Sequence, residues 1–369
     1  MDALAPPPLR ASRPVTRRPS VIIAGAGIVG ATLAYHLASG GASVTIIERS
    51  RPASGVTARS FAWINVIHGN APDLARLRNL AIADYRRLER ELDGALAIDW
   101  NGALTWSGNP AESERLVTEH TAWGHDVRLV ERDEIRRLEP RLAAPPPVAA
   151  HASGEGALDP VAATRTLVRA AVEAGARLVE GSEVQGLAST DGRVCGVVLP
   201  SGTIDGDTVV LAAGTDSKAL CAGIGVELPV ESSPATLTRF AGPGGLVGRV
   251  VAGPDLEIRQ DAAGRLFVSD YYVEGESPED RAASTLALIR RRFHGAGTVT
   301  PVDARVGWRP MPADGMPIVG FAPDAPGLYL AVMHAGVVMA PVVGRLATGE
   351  IVAGNEAEPL APCRVSRFG

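Results

Sequence analysis

Cysteine is scarce. The 369 residues hold three, Cys195, Cys221 and Cys363, and no two form a Cys-x-x-Cys pair. That argues against a disulfide framework and a cysteine zinc site, and it allows a reducing cytosol. Aromatic residues make up only 4%, so any close pair of them stands out. Positive charge is not gathered: the formal net charge is −5, and no basic block follows the amino-terminal stretch. Phosphate backbones require clustered Lys and Arg, so nucleic acid is not expected as a partner. No membrane span is expected either. Arg17-Arg18 imitate a twin-arginine signal, but the apolar run Val21–Tyr35 behind them is shorter than the ~20 residues a span needs. The expected location is cytoplasmic. Residues 1–19, rich in Pro and Arg, read as a disordered tail. What is plentiful is apolar surface, 46% of residues, ample for a large core. The length allows about two domains.

The informative stretch is "SVIIAGAGIVGATLAYHLASGGASVTIIERS", Ser20 to Ser50. Val21–Ala24 suits a buried parallel strand. Gly25-x-Gly27-x-x-Gly30 follows at once, then Ala31–Ser39 with helical composition, stopped by Gly40-Gly41. Val44–Ile47 reads as a second buried strand ending at Glu48. Each residue type has a use in dinucleotide binding. The first glycine allows a tight turn, the second lets backbone approach a pyrophosphate, and the third lets helix pack on strand. The helix start faces the phosphates, and the acid takes ribose hydroxyls. Strand, glycines, helix, strand and acid in order specify the motif far better than the glycines alone. They do not separate NAD from FAD.

Two distant pieces add to it. "VVLAAGTDS", Val209 to Ser217, is an apolar strand running into Ala-Ala-Gly. "GLYLAVMHAGVVMAPVVGRLATGEIVAG", Gly327 to Gly354, is a strand leading through His334 to a helix beginning near Val337, whose start can hold partial negative charge. Together these segments resemble the D-amino-acid oxidase superfamily of flavoproteins, with glycine oxidase and sarcosine oxidase among its members, over about residues 20–355. The resemblance implies an α/β fold: a Rossmann-type FAD-binding domain with a second, α+β substrate domain built on an antiparallel sheet. The FAD-binding domain would be discontinuous, from 20–72, 150–222 and 303–356. The substrate domain would comprise 73–149 and 223–302, and 357–369 would form a tail. Composition agrees in part. Leu74, Leu77, Leu80, Ala81, Leu88 and Leu92 form a helical stripe, read as core packing. Residues 226–273 show short apolar runs split by Gly and Pro, as in an antiparallel sheet.

The resemblance also implies cofactor contacts. They fall at Gly25, Gly27, Ile28, Val29 and Gly30 in the first loop, and at Glu48 and Arg49 after the second strand. "ASGVTARSFAWIN", Ala53 to Asn65, lies where the family has a second flavin-binding loop, which brings in Thr57, Ala58, Arg59, Ser60 and Ala62. Val184 would lie at the adenine end, with Ala213 and Gly214 beside the cofactor. Asp159 in "GEGALDP" would cap a helix over Val161–Ala174. Ala335, Gly336, Val337 and Val338 would line the flavin at the last helix. Trp63, near Phe61, is either a flavin and substrate contact or a core anchor.

Gly307-Trp308-Arg309-Pro310 matches the Gly-x-Arg-Pro segment whose arginine grips the substrate carboxylate in glycine oxidase and D-amino-acid oxidase. A guanidinium fork pairs bidentately with a carboxylate and keeps its charge, and a proline-stiffened turn would hold it still. The competing reading of Arg309 is a structural ion pair. Gly307 stands close to where sarcosine oxidases carry a flavin-linked cysteine, so FAD is expected to bind non-covalently. His334 matches a second polar substrate contact, or is a structural histidine. One departure is plain: where glycine oxidase has a carboxylate-binding tyrosine, this chain has Leu256-Glu257. Tyr271 or Tyr272 could compensate, or the substrate could be larger or carry another cation.

The implied reaction is oxidation of the amine-bearing carbon of an amino acid or related small carboxylate. Hydride goes to FAD, the imine product hydrolyses, and oxygen re-oxidises the flavin. No Ser/His/Asp or paired-carboxylate arrangement appears, and none is needed if the amine enters uncharged. Two alternatives remain: a dehydrogenase passing electrons to a carrier, with an amino or hydroxy acid as substrate, and a non-catalytic flavin-binding subunit of an oxidase complex.

Overall fold

A computed structural model describes residues 18–68 and 71–369; most of the expected tail, residues 1–17, lies outside the described residues. The strand Ser20–Ala24 sits inside a six-stranded sheet. On one side it pairs in parallel with Ser43–Glu48, which pairs with Arg177–Glu180. On the other it pairs in parallel with Thr208–Leu211, followed by Leu328–Val332, with Ile318–Phe321 antiparallel at the edge. These strands are unbroken apolar runs because both faces are covered. Val21 and Ile23 face a helical layer of Ile28–Ser39, Pro160–Glu173 and Gly336–Ala353. Ile22 and Ala24 point the other way, onto Leu187, Val194 and Val197 of a small three-stranded antiparallel sheet. Asp159 caps its helix through Val161 and Ala162, as expected.

The stripe from Leu74 lies on the helix Pro72–Glu91, which buries Leu74, Leu77, Ala81 and Leu88 while Leu80 and Leu92 sit at the margin. It packs on the last long helix, Gly336–Ala353. That last helix is long and apolar enough to cross a membrane, yet in this fold it is wedged against the first helix. A Cβ on its Gly344 would lie 2.7 Å from the Thr32 side chain.

An eight-stranded sheet, largely antiparallel, forms the other half. It includes the expected strands after residue 226: Val230–Ala241, Val250–Ala252, Glu257–Gln260 and Arg265–Tyr271. Two differences from the sequence reading concern its borders. Arg309 is not in a turn. It lies in the 13-residue strand Thr300–Pro312, paired antiparallel with Val230–Ala241, and the turn comes after it at residues 313–316. Three prolines fit because this is an edge strand, where a missing N–H need not break a ladder. The strand also runs through the 302/303 border drawn from the resemblance. The second difference is at the carboxy terminus. Residues 357–369 form two 3-10 turns that bury Leu360 and Cys363. Arg364 pairs with buried Glu350, and Arg367 with Asp314.

Candidate functional site

A cavity of about 1090 Å³ opens at the carboxyl end of the first strand and reaches across to the eight-stranded sheet. Carboxyl ends of sheet strands are where open α/β sheets bind ligands, and the volume is at the top of the roughly 300–1,000 Å³ usual for ligand pockets. Of the cofactor and substrate contacts expected above, all but Gly30, Ala58 and Tyr272 line it.

The glycine loop shows why each glycine is there. Gly25 has φ +103°, and a Cβ on it would lie 2.6 Å from the Ala212 carbonyl oxygen. A Cβ on Gly30 would lie 2.0 Å from the Gly25 carbonyl oxygen, so Gly30 serves helix packing and not the cavity wall. Gly27 has an ordinary φ of −72° and no backbone crowding, and it faces the cavity. Its side is clear where the loop meets the ligand space. Gly27 has no side chain to cap the helix it starts, and beyond the Ile28 amide, which Thr57 takes, the first-turn amides are left for an anion. Glu48 accepts from the Ala26 and Ser50 amides at 2.9 and 3.0 Å, so it fixes the loop as well as facing the cavity. At the far end Arg49 pairs with Asp216 at 2.7 Å, beside Glu183 and Val184.

The second loop is tied to the first. Thr57 Oγ1 accepts from the Ile28 amide at 3.2 Å. Arg59 folds back onto the carbonyls of Ser54 and Gly55. Gly307 answers to this loop: a Cβ there would stand 2.9 Å from Arg59 Cβ. Trp63 is a core anchor that also stands in the cavity wall. It is buried, it lines the cavity, and its indole N–H donates to Glu155 Oε2 at 2.8 Å. Glu155 also accepts from the Val66 and Ile67 amides, while burial pushes its pKa up to about 7.

At the eight-stranded sheet the cavity meets Arg309. Its Nη2 donates to Ser233 Oγ at 2.9 Å and to the Pro234 carbonyl at 3.4 Å, and its Nε to the Ser233 carbonyl at 3.4 Å. Among the described residues Nη1 has no partner and no carboxylate lies within 4.0 Å, so the ion-pair reading finds no partner there. His334 also faces the cavity. Burial, with Arg309, Arg78 and His68 nearby, lowers its pKa to about 4. The ring therefore stays neutral near pH 7, a donor or acceptor and not a cation. Beside it the helix Gly336–Ala353 begins with no side-chain cap, its first turn in the cavity wall. Tyr85 donates to the Val337 carbonyl and steadies that start.

The residues fit a flavin dinucleotide. Two helix starts whose N-cap residues give no side-chain cap meet one cavity long enough to join them, and a glycine with no backbone crowding stands at the first. Three supporting residues escaped the sequence reading. Tyr85 carried a signal, since a buried hydroxyl on a helical stripe needs a partner. Glu155 and Ser233 carried none, because their partners are 89 and 76 residues away.

Comparison with known proteins agrees. The model of the family described as FAD dependent oxidoreductase (DAO) matches residues 20–349. Glycine oxidase of Geobacillus kaustophilus is 27% identical, over 96% of this chain and 98% of that protein. D-amino acid dehydrogenase of Cereibacter sphaeroides is 27% identical, over 85% and 87%. The crystal structure of the Geobacillus kaustophilus glycine oxidase superposes with a TM-score of 0.85 at 24% identity, covering 95% of this chain and 99% of that one; at that identity the likeness speaks for the fold.

Proposed function

The chain belongs to the FAD-dependent oxidoreductase (DAO) family, and from that premise we propose that it oxidises the amine-bearing carbon of an amino acid or related small carboxylate. The observation that carries this reading is the Nη1 arm of Arg309, a cation held in the cavity wall with no carboxylate partner among the described residues. FAD, when bound, supplies the two-electron acceptor for the hydride. The protein binds and orients. Arg309 takes the substrate carboxylate, Ser233 and Pro234 hold its fork in plane, and substrate is fixed in one orientation. His334 offers a neutral ring nitrogen. The uncapped helix start at Gly336–Val337 presents amides to negative charge. The imine product leaves to be hydrolysed in water. Oxygen is the proposed electron acceptor, in keeping with the relatives named as oxidases.

FAD binds without a covalent link in this reading. None of the three cysteines lines the cavity, and Gly307 offers no side chain. Acid or heat denaturation releases the flavin into the supernatant; yellow colour that stays on the precipitated polypeptide overturns the assignment.

Mixing the purified protein anaerobically with a panel of D- and L-amino acids and N-methyl glycines tests the activity. The expected result is bleaching of the flavin by at least one of them. Admission of air restores the colour within seconds for an oxidase. Recovery over many minutes, accelerated by a quinone or dye, would identify a dehydrogenase instead. No bleaching by any substrate counts against catalysis.

A further inference from the structure

The cavity holds a second unpaired ionisable group, a carboxyl whose ionised form is opposite in sign to Arg309. Glu257 lies on the strand Glu257–Gln260 and lines the same cavity. No hydrogen bond or ion pair reaches its carboxylate among the described residues. Its acidic neighbour Asp270 differs, since Thr285 Oγ1 donates to it at 2.9 Å. Arg281 is also engaged, by Glu276. The electrostatics agree: desolvation and Asp270 raise the Glu257 pKa to about 7, and Arg309 pulls the other way. The two free groups, Glu257 and Arg309, thus share one space.

An ordinary α-amino acid leaves Glu257 unanswered. Its carboxylate goes to Arg309 and its amine to the reacting position, and nothing reaches the second acid. A half-buried carboxyl without a partner, its ionised form disfavoured, gains from a nearby cation, so the site is complementary to a ligand that brings one. Sheet order sets its reach. Arg309 and Glu257 are three strand spacings apart and four residues offset in register, since Glu257 lies level with Ser269, Leu237 and Arg305, roughly 20 Å between backbones at the usual strand spacing and rise. Two long side chains close part of that span, leaving room for a chain of several bonds between anion and cation.

We propose that the site is built for a basic amino acid, its carboxylate on Arg309 and its side-chain ammonium or guanidinium on Glu257. This rests on the amine-oxidation reading above and names the substrate class for it.

The test separates the two. 5-Guanidinopentanoate and pentanoate differ only in the distal cation, and neither has an α-amine to oxidise. Each is titrated into the holoprotein, and the shift of the visible flavin spectrum gives the dissociation constant. The guanidino compound is expected to bind roughly ten- to a hundredfold tighter, the worth of one charge-assisted hydrogen bond. Glu257→Gln removes that difference and leaves pentanoate binding within about twofold. Arginine, ornithine and lysine should lose their advantage over leucine in the rate of anaerobic flavin reduction by a like factor. Equal or absent binding of the two ligands by the parent protein overturns the proposal without any variant. Survival of the preference in Glu257→Gln overturns the assignment to this residue. Cation-selective binding without flavin reduction by any amino acid leaves Glu257 in place and defeats the oxidation reading alone.

Discussion

Arg309→Lys is expected to lower kcat/KM about ten- to a hundredfold while the flavin spectrum stays unchanged. Lysine keeps the positive charge and loses the fork. In the structure the fork is divided: Nε and Nη2 hold Ser233 and the Pro234 carbonyl, and Nη1 has no partner among the described residues. A single ammonium on a flexible stem cannot hold the sheet and grip a carboxylate in a fixed plane. A hydrogen bond to a charged group is worth about 1.5–3 kcal/mol, and each 1.36 kcal/mol is tenfold in rate, which gives the range. The loss should fall mainly on KM. A simple carboxylate such as acetate, a competitive inhibitor of the parent, should inhibit the variant much more weakly. If the variant instead sheds flavin or unfolds, and its surviving holoprotein binds carboxylates as well as the parent, then Arg309 serves the sheet and not the substrate.

Gly27→Val should abolish flavin binding and spare the fold. Gly27 has φ −72°, a conformation valine adopts, and an added Cβ meets only Thr57 Oγ1, at 3.2 Å. The backbone keeps an allowed conformation, and the Thr57 side chain gives by a few tenths of an ångström. What the side chain fills is ligand space at an uncapped helix start, where a pyrophosphate would take first-turn amides. Losing two charge-assisted bonds at about 1.5–3 kcal/mol each weakens binding by a hundredfold or more. The protein should purify colourless with a circular dichroism spectrum like that of the parent apoprotein. Gly30→Ala is the contrast. Its Cβ would sit 2.0 Å from the Gly25 carbonyl oxygen, so helix and strand must part and the soluble yield should fall. A yellow Gly27→Val protein with full flavin occupancy would mean that the loop does not carry the pyrophosphate.

The sequence made the first half of the site legible because its chemistry is local. The turn at Gly25, the helix after it and Glu48 lie within one βαβ unit, and residue types there follow directly from backbone conformation. The second half depends on partners far along the chain. Pro310 and Pro312 suggest a turn by local rules, yet pairing with Val230–Ala241 makes a strand of them. The carboxy-terminal residues look like a tail until Arg364 meets Glu350 and Tyr329 donates to the same carboxylate. Glu257 could be seen to depart from the glycine oxidase pattern. That it faces Arg309 across one cavity follows only from the order of four strands.

The edge strand Thr300–Pro312 has a bearing on how copies of the protein treat one another. A long strand at a sheet margin is a template on which a second chain can continue the sheet, and that route leads to aggregation. Here Pro301, Pro310 and Pro312 carry no amide hydrogen, so the margin lacks donors at three places along the strand. A visiting strand would find an interrupted ladder. The residues that frame Arg309 thus also make this margin a poor seed for self-association, which keeps a mouth lined by Tyr271 and Trp308 free to meet small molecules.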